Sequence, residues 1–329
     1  KLIHVPNTWH MDIQGRWAQM LTERAFGKAF FCNSGTEANE AAIKLVRLHT
    51  EPQRYKIITF EGGFHGRTFG SLTATAQPKH HEGLGPLMAG FQYAPFGDLD
   101  AVRQLVDDQT CAIMIEPIQG EGGIRIHPEG FLAELRSICD ENEMLLVFDE
   151  VQTGCGRTGE WFGYQHFGVL PDIITLAKAL CGGIAGGALL ATDEVSPSLR
   201  PGMHAATFGG NPIAAAAGIA TLETIEQDDL LHAAKQLGEF FRDRLLSLQQ
   251  ELGRIKEIRV CGVMVGVELT IDGAPIVADC LKNGLLVNCT QGSVIRLLPA
   301  MNLGLEAAEE GFEILSNALR HANQTTNNQ

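Results

Sequence analysis

Short apolar runs alternate with longer amphipathic stretches through the first two thirds of the chain. The apolar runs have the length of buried strands and lie at residues 29–32, 56–60, 111–115, 144–148, 172–176 and 188–191. Apolar positions with helical periodicity lie between several of them, as at residues 37–49 and 130–142. Near-continuous apolar strands joined by helices predict an α/β fold whose mostly parallel central sheet is buried on both faces. Ligands of such sheets bind at the carboxyl ends of the strands.

The pattern changes after Asn211-Pro212. A long helical stretch at residues 213–252 precedes short apolar runs at 258–260, 264–269, 285–287 and 294–297 and a final helix at 306–322. This order predicts a smaller α+β domain, and we place the boundary between a large domain, residues 1–218, and a small C-terminal domain, residues 219–329. The polar segment 321–329 is expected to form a frayed tail.

Composition narrows the class of protein. The chain has 329 residues, 45% of them hydrophobic, and a formal net charge of -14. An acidic chain has no general attraction for nucleic acid or anionic membranes, and no apolar run approaches the length of a membrane span. The eight cysteines form no C-x-x-C pair and are expected to be buried free thiols, although an even number also permits disulfides. We therefore expect a cytoplasmic protein.

A turn between a strand and a helix is the first candidate site. Ser34, Gly35, Thr36 and Glu37 follow the apolar run at 29–32 and open the next helix. Backbone amides at a helix start bind phosphate, and the helix dipole assists them. An ordinary capping box between Ser34 and Glu37 explains the same residues.

A glycine-flanked loop after the apolar run at 56–60 is the second candidate. It contains Phe64, His65 and Arg67, which together offer an aromatic ring, an imidazole and a guanidinium. A flat ring beside a cation suits a planar ligand with a carboxylate. A turn in which the phenylalanine packs inward and the arginine is solvated remains the alternative.

Three carboxylates lie at or just beyond the ends of apolar runs. Glu116 and Glu121 lie on a glycine-rich loop, and Asp149 directly follows the run at 144–148. A partly desolvated carboxylate needs a cationic or hydrogen-bonding partner. A metal is disfavoured, because no Walker A motif is present and the histidines show no ligand spacing. Both glutamates could instead be solvated turn residues.

Two cations and a hydroxyl complete the candidates. Lys178 follows the run at 172–176 among small and apolar residues, and a lysine in such a place becomes nucleophilic enough to form an imine. Arg296 lies inside an apolar strand and needs a carboxylate partner, from the protein or from a substrate. Thr207 lies in a glycine loop. A surface lysine and a structural ion pair are the alternatives.

The order and spacing of these segments resemble the class III (ornithine-type) aminotransferases, and most closely the members that act on acetylornithine. The segments are S-G-T-E at 34–37, G-F-H-G-R-T at 63–68, E-P-I-Q-G-E-G-G at 116–123, F-D-E-V-Q-T-G at 148–154, L-A-K-A-L at 176–180, T-F-G-G-N-P at 207–212 and V-I-R-L-L-P at 294–299. The resemblance begins at about His4 and lacks the N-terminal segment of the family. It implies a fold-type I transferase that binds pyridoxal 5'-phosphate and forms a homodimer with shared active sites.

The resemblance also implies a role for each candidate. Lys178 would form a Schiff base with the cofactor and serve as the proton-transfer base, and Asp149 would face the pyridine nitrogen. The cofactor would be held by Ser34, Gly35, Thr36, Phe64, His65, Val151, Gln152 and, across the dimer, Thr207. The substrate site would include Arg67, Glu116, Glu121 and Arg296. The two arginines would bind carboxylates, and Glu121 would pair with Arg296 when the donor offers no carboxylate there.

The expected reaction moves the δ-amino group of N2-acetylornithine to 2-oxoglutarate, giving N-acetylglutamate 5-semialdehyde and glutamate, a step of arginine biosynthesis. Succinylornithine, ornithine and 4-aminobutyrate are alternative donors within the family. A non-catalytic scaffold that binds the cofactor is a different class of function, disfavoured by the presence of a base and both arginines. A nicotinamide dehydrogenase requires a G-x-G-x-x-G after the first strand, and none is found there.

Overall fold

The computed structural model describes residues 2–322, which form two compact units. Unit 1 comprises residues 2–118, 127–155 and 160–228, and unit 2 comprises residues 119–126, 156–159 and 229–322. The boundary predicted after residue 218 falls inside a helix, Pro212–Gln227, that belongs to unit 1. Of the predicted tail, residues 323–329 lie outside the described residues.

The described helices and strands are numbered here in chain order. The helices are α1 Asp12–Arg24, α2 Gly35–His49, α3 Phe69–Ala74, α4 Leu99–Leu105, α5 Phe131–Glu141, α6 Pro212–Gln227, α7 Leu230–Glu251, α8 Ala274–Lys282 and α9 Leu305–His321. The strands are β1 Lys28–Cys32, β2 Lys56–Phe60, β3 Phe91–Ala94, β4 Thr110–Ile115, β5 Ile118–Gln119, β6 Arg125–Ile126, β7 Leu145–Asp149, β8 Ile173–Leu176, β9 Gly187–Ala191, β10 Ile255–Cys261, β11 Met264–Leu269, β12 Asn288–Thr290 and β13 Val294–Leu297. Short 3₁₀ turns lie at Pro78–His80, Gly163–Phe167, Lys178–Cys181 and Ser196–Ser198.

Unit 1 is built on a seven-stranded sheet in the order β1-β9-β8-β7-β4-β2-β3. The five strands from β8 to β3 run parallel, whereas β9 is antiparallel to both of its neighbours. Every residue of β4, β7, β8 and β9 is buried, as expected for a sheet covered on both faces. The predicted α/β fold with a mostly parallel sheet is confirmed. The register places Asp149 directly beside Thr175, at the carboxyl ends of β7 and β8.

Helix α2 covers one face of this sheet and begins at the edge where the parallel strands end. Its Ala41, Ala42 and Leu45 lie in a buried apolar cluster with residues of β2, β4, β7, β8 and β9. Ser34 caps the helix by accepting a hydrogen bond from the amide of Glu37, and the Glu37 carboxylate accepts one from the amide of Asn33 at 2.6 Å. The Ser34 half of the predicted capping box is present, whereas the Glu37 carboxylate bonds the residue before the cap and not Ser34 itself.

Unit 2 contains a four-stranded antiparallel sheet in the order β10-β11-β13-β12. Its core joins this sheet to α7, α8 and α9 through buried side chains such as Phe241, Val265, Ile295 and Phe312. All eight cysteines of the chain are free thiols, six of them buried and two half-buried. A bilayer-spanning helix is not found among residues 2–322, since no helix there combines sufficient length with sufficient apolar character.

Two local predictions are wrong. Residues 285–287 do not form a strand. Gly284 has a φ of 92°, and the amide of Leu285 donates a hydrogen bond to the carbonyl of Cys280 at the end of α8. Leu286 is 83% exposed. Pairing with β13 begins only at Asn288. The helical stretch at 213–252 is two helices, because Asp229 adopts a φ of 49° between α6 and α7.

Candidate active site

The start of α2, the end of β7 and the turn after β8 meet at one edge of the sheet in unit 1. A Cβ atom added to Gly35 would lie 2.8 Å from Cγ1 of Val151 and 3.5 Å from Cβ of Ala177, the residue before Lys178. Glycine is required at this position because any side chain would displace Val151. The structure therefore brings together three segments that the sequence places far apart.

The amino end of α2 offers free backbone donors beside this contact. The first four amides of a helix have no acceptor within the helix, apart from bonds made to its cap. Here Ser34 accepts from Glu37 through its side chain and from Ala38 through its carbonyl. In the described part of the chain, no acceptor engages the amides of Gly35 and Thr36, and these can bind a phosphate.

Asp149 is buried at the end of β7 and is surrounded by hydrogen-bond donors. Its Oδ2 accepts from Asn39 Nδ2 at 2.8 Å and from His65 Nδ1 at 2.8 Å, and its Oδ1 accepts from the amide of Val151 at 3.0 Å. Asp149 is only 3% exposed, so these donors are needed to hold a carboxylate there. His65 lies behind Asp149 and is also buried.

The carboxylate of Asp149 affects the pKa of the neighbouring His65 imidazole. Burial lowers the pKa of His65, but its hydrogen bond to Asp149 and the charges of Asp149 and Glu116 outweigh burial. The net pKa of the imidazole is raised above its ordinary value. A raised pKa favours the protonated ring, which donates to Asp149 as an ion pair.

The loop that follows β2 packs against the start of α2. Thr36 Oγ1 lies 3.3 Å from the amides of Arg67 and Thr68, and Glu116 Oε1 accepts from the amide of Phe64 at 2.9 Å. The guanidinium of Arg67 lies 5.4 Å from the ring centroid of Phe64, which is cation–π distance. The structure thus uses the buried Glu116 to hold the backbone of Phe64.

Lys178 begins the turn after β8 in an unusual backbone conformation. Its φ is 47°, a value that residues other than glycine seldom adopt, and the residue is exposed. Gln152 is half-buried next to Val151. Thr207 is exposed in a separate loop, where it lines a cavity of about 470 Å³ together with Asn33 and Glu37.

The two remaining candidates lie in unit 2 and contact each other. Arg296 Nη1 donates to Glu121 Oε1 at 2.8 Å, and Arg296 Nε lies 3.3 Å from Asn288 Oδ1 on the neighbouring strand. Arg296 is 7% exposed, so Glu121 neutralises a cation that is nearly buried. The glycine loop that presents Glu121 is held by Gln291, which donates to the Glu121 carbonyl at 2.9 Å.

Comparison with known proteins identifies the family. The sequence profile described as class-III aminotransferase matches residues 1–319. The chain belongs to the class III aminotransferases.

Proteins of this family show how far the likeness extends. An acetylornithine aminotransferase from Caldanaerobacter subterraneus subsp. tengcongensis is 48% identical over 324 residues, which is 97% of this chain and 82% of the relative. One from Aquifex aeolicus is 45% identical and covers 97% of this chain and 84% of the relative. The structure of the ornithine aminotransferase from Toxoplasma gondii, which has partial occupancy of pyridoxal phosphate at its active site, matches with a TM-score of 0.93 at 29% identity, covering 99% of this chain and 81% of that one.

Membership of the class III aminotransferases implies pyridoxal phosphate, and the residues of unit 1 fit it. Helix amides are available for a phosphate where Gly35 leaves no room for a side chain. Asp149 is a buried carboxylate of the kind that would face a protonated ring nitrogen, and Lys178 is an amine on an exposed turn. Within the described chain, His, Cys, Asp and Glu side chains form no group of three or more that could hold a metal ion.

Several residues of this site give no signal in the sequence. Asn39 and Thr175 belong to the hydrogen-bond network around Asp149, and His127 supports Glu116 by bonding its carbonyl at 3.0 Å. The ring of His127 is stacked between those of Phe96 and Phe131. None of these belongs to one of the recurrent segments, and Asn39 lies 110 residues from Asp149 and 136 from Thr175.

Proposed function

We propose that this class III aminotransferase moves the δ-amino group of N2-acetylornithine to 2-oxoglutarate, giving N-acetylglutamate 5-semialdehyde and glutamate. The observation that supports catalysis is the approach of Gly35 to Val151 and Ala177, which joins a phosphate-type helix start to the segments of Asp149 and Lys178. Support for this donor comes from relatives named acetylornithine aminotransferase, which are 42–48% identical to the chain.

The cofactor would be pyridoxal 5'-phosphate. The amides of Gly35 and Thr36, with the Ser34 cap, would hold its phosphate, and the side chains of Phe64 and Val151 would lie against the two faces of its ring. Gln152 would lie near the ring hydroxyl. When bound, the cofactor supplies an electron-withdrawing ring that allows the amino-bearing carbon of the donor to lose a proton.

Two side chains of unit 1 would act on protons. Asp149 holds a negative charge inside the protein and would keep a proton on the ring nitrogen, supported by its own three donors. The Nζ atom of Lys178 would take the proton from the amino-bearing carbon of the donor and deliver it to the cofactor carbon. The lysine would thus anchor the cofactor and then serve as the base.

Two arginines would bind the carboxylates of the substrates. Arg67 is exposed, and among residues 2–322 no acidic side chain forms an ion pair with it. Arg296 is paired with Glu121, and this pair would open only for a substrate that brings a second carboxylate. Glutamate and 2-oxoglutarate have two carboxylates and N2-acetylornithine has one, so a switchable ion pair would allow both kinds of substrate.

The active form would be a homodimer with shared active sites, in which Thr207 contributes to the cofactor site of the other subunit. The cofactor contacts of Thr207 and His65 and the substrate contact of Glu116 remain predictions. In this structure Glu116 and His65 engage the backbone of Phe64 and the carboxylate of Asp149.

A donor comparison tests the proposal. The purified protein, saturated with pyridoxal phosphate, is offered N2-acetylornithine, N2-succinylornithine, ornithine and 4-aminobutyrate separately, each with 2-oxoglutarate. We expect the highest kcat/KM with N2-acetylornithine and formation of glutamate in each productive reaction. Equal or better turnover of 4-aminobutyrate would contradict the proposed donor, and absence of glutamate with every donor would contradict the proposed function.

A further inference from the structure

A chain of buried hydrogen bonds reaches Asp149 from the strand beside it. Thr175 Oγ1 donates to Asn39 Oδ1 at 2.7 Å, and Asn39 Nδ2 donates to Asp149 Oδ2 at 2.8 Å and to the carbonyl of His65 at 2.6 Å. Thr175 is 0%, Asn39 1% and Asp149 3% exposed. Thr175 and Asp149 are neighbours in the register of β8 and β7, and Asn39 projects from α2 to join them.

The orientation of the Asn39 amide is determined by its partners. Asp149 Oδ2 and the carbonyl of His65 are both acceptors, so the amino group of Asn39 must face them. Its carbonyl oxygen then faces Thr175, whose hydroxyl can donate. Reversing the amide would place an oxygen 2.6 Å and 2.8 Å from two other oxygens, which is strongly unfavourable in a buried site.

This arrangement leaves one side of the Asp149 carboxylate available. Oδ2 accepts two bonds, from Asn39 and His65, whereas Oδ1 accepts from the amide of Val151 and from no other donor within residues 2–322. An ionised carboxylate has about four acceptor positions, so Oδ1 retains one for a further donor. A protonated pyridine nitrogen is a donor of the required kind.

We propose that Asn39, oriented by the hydroxyl of Thr175, is the positioning residue that holds the Asp149 carboxylate against the protonated ring nitrogen of the cofactor. The inference rests on the proposed function only in taking pyridoxal phosphate as the ligand. Asn39 touches neither substrate nor cofactor in this account and acts through Asp149. Of the titratable groups, His65 and Glu150 interact with Asp149 and Glu116 interacts with His65, and the variants below leave all three unchanged.

The test compares two threonines of the same sheet. Thr175→Val keeps the shape of the side chain and removes the hydroxyl that orients Asn39, whereas Thr175→Ser keeps the hydroxyl and removes the methyl group. Thr59→Val is the matched control, since Thr59 is also 0% exposed in a parallel strand and its hydroxyl has no hydrogen-bond partner in the described chain. Asn39→Leu removes the amide itself.

Two quantities are measured on each variant without any amino donor: the dissociation constant of pyridoxal phosphate, and the midpoint pH at which the visible absorbance of the bound cofactor changes. A ring nitrogen that Asp149 keeps protonated less of the time withdraws less electron density from the end of the cofactor linked to Lys178. The linking nitrogen of Lys178 then holds its proton more tightly, so the midpoint pH rises. A change in packing alone would lower the melting temperature without moving this midpoint.

We expect Asn39→Leu to raise the dissociation constant roughly tenfold or more, since a hydrogen bond to a charged group is lost, and to raise the midpoint by about one pH unit. Thr175→Val should raise the dissociation constant about threefold and the midpoint by about half a pH unit. Thr175→Ser and Thr59→Val should keep the dissociation constant within about twofold, and the midpoint within about 0.3 pH unit, of the unmodified protein. If Asn39→Leu fails to fold, the threonine variants still test whether Asn39 positions Asp149.

The inference is overturned if Thr175→Val matches Thr59→Val in both quantities, or if Thr175→Ser moves the midpoint as far as Thr175→Val. Neither result depends on the donor. Failure of the unmodified protein to use N2-acetylornithine would contradict the proposed function and leave the role of Asn39 to be judged from the cofactor measurements.

Discussion

At the scale of one residue, Lys178 has a strained backbone conformation that the surrounding fold maintains. The strand β8 ends at Leu176, and Lys178, with a φ of 47°, begins a 3₁₀ turn that ends at Cys181 and is followed by Gly182, whose φ is 57°. The left-handed conformation costs a residue with a side chain about 1–2 kcal/mol. Strain of this kind persists where the surrounding structure enforces it, and it is concentrated at functional sites.

Two substitutions of Lys178 separate its backbone strain from its chemistry. Lys178→Ala and Lys178→Gly should both abolish stable cofactor binding, because both lack the amine. Lys178→Gly should nevertheless be the more stable protein by about 1 kcal/mol, since glycine adopts a positive φ without steric cost. Urea unfolding of the cofactor-free variants measures the difference. Greater stability of the alanine variant would show that the backbone there is not strained.

Glu150 is a second residue whose environment has a measurable consequence. Its carboxylate is buried beside Asp149 and accepts hydrogen bonds from Thr153 and from the amides of Gly163 and Tyr164. Burial raises the pKa of Glu150 to about 7, although these hydrogen bonds act in the opposite direction. Between its ordinary pKa of 4.5 and about 7, the folded protein therefore binds this proton more tightly than the unfolded chain.

This difference predicts how stability depends on pH. The contribution of Glu150 to stability is greatest below its unfolded pKa, falls as the pH rises towards 7, and is constant above it. Glu150→Gln cannot titrate, so the unfolding free energy of the unmodified protein minus that of the variant should fall by about 2–3 kcal/mol between about pH 5 and pH 7. Urea unfolding at several pH values measures it. A difference that is independent of pH would contradict the raised pKa.

At the scale of elements, the packing of α1 on α6 depends on one glycine. Trp17 of α1 is fully buried, with its ring stacked on Phe31 at 4.1 Å between centroids. A Cβ atom on Gly218, in the middle of α6, would lie 2.3 Å from Cε2 of Trp17. The two helices can approach this closely only because Gly218 has no side chain.

Gly218→Ala is therefore expected to destabilise unit 1 despite the helix propensity of alanine. Propensity alone favours alanine by about 1 kcal/mol, but forcing a methyl group into a filled contact costs about 1–3 kcal/mol. Gly15→Ala in α1 is the control, because nothing lies within 4 Å of its added Cβ, and it should stabilise by about 0.5–1 kcal/mol. Melting temperatures of both variants are compared. An equal gain for Gly218→Ala would show that the contact is not tight.

The ion pair between the loop carrying Glu121 and strand β13 predicts a change in specificity. Glu121→Gln removes the ion pair between Glu121 and Arg296, so glutamate no longer has to displace the Glu121 carboxylate, whereas the complex with a one-carboxylate donor lacks that ion pair. The ratio of kcat/KM for glutamate to that for N2-acetylornithine should rise roughly tenfold or more. Glu268→Gln, which weakens the pair of Glu268 with Arg259, is the control within unit 2. The same ratio in both variants would contradict a switch at Glu121.

Elements with strong patterns could be predicted from the sequence. The strands β2, β11 and β13 have the predicted bounds, because each is a continuous or alternating apolar run. Helix α1 and strand β3 were not predicted, and the break at Asp229 has neither glycine nor proline to mark it. The exposed Leu286 belongs to an apolar run, but tertiary pairing and not composition decides which residues form β12.

The residues proposed to act on the cofactor could be predicted from the sequence better than the residues that position them. Lys178 and Asp149 belong to recurrent segments, whereas Asn39 is a single amide on an apolar helix face, 110 residues from Asp149 and 136 from Thr175. Nothing local distinguishes such a residue from a solvated asparagine. Its role becomes visible only when the sheet places Asp149 beside Thr175, under the first turns of α2.

At the scale of the whole molecule, the protein is strongly acidic, with a formal net charge of -14, yet its proposed cofactor and substrates all carry negatively charged groups. General electrostatic attraction cannot bring them in, so each negative group must be met by local donors. Such donors would be the helix amides of Gly35 and Thr36 and the side chains of Arg67 and Arg296. Lys178 and Asp149 would therefore act on a single cofactor in one centre.

The most direct test of that claim is the visible absorption spectrum of the protein with pyridoxal phosphate, recorded before and after N2-acetylornithine and again after 2-oxoglutarate. We expect a cofactor band that is displaced to shorter wavelength by N2-acetylornithine, restored by 2-oxoglutarate, and missing from Lys178→Ala. A band that N2-acetylornithine leaves unchanged, or one that persists in Lys178→Ala, would contradict the account.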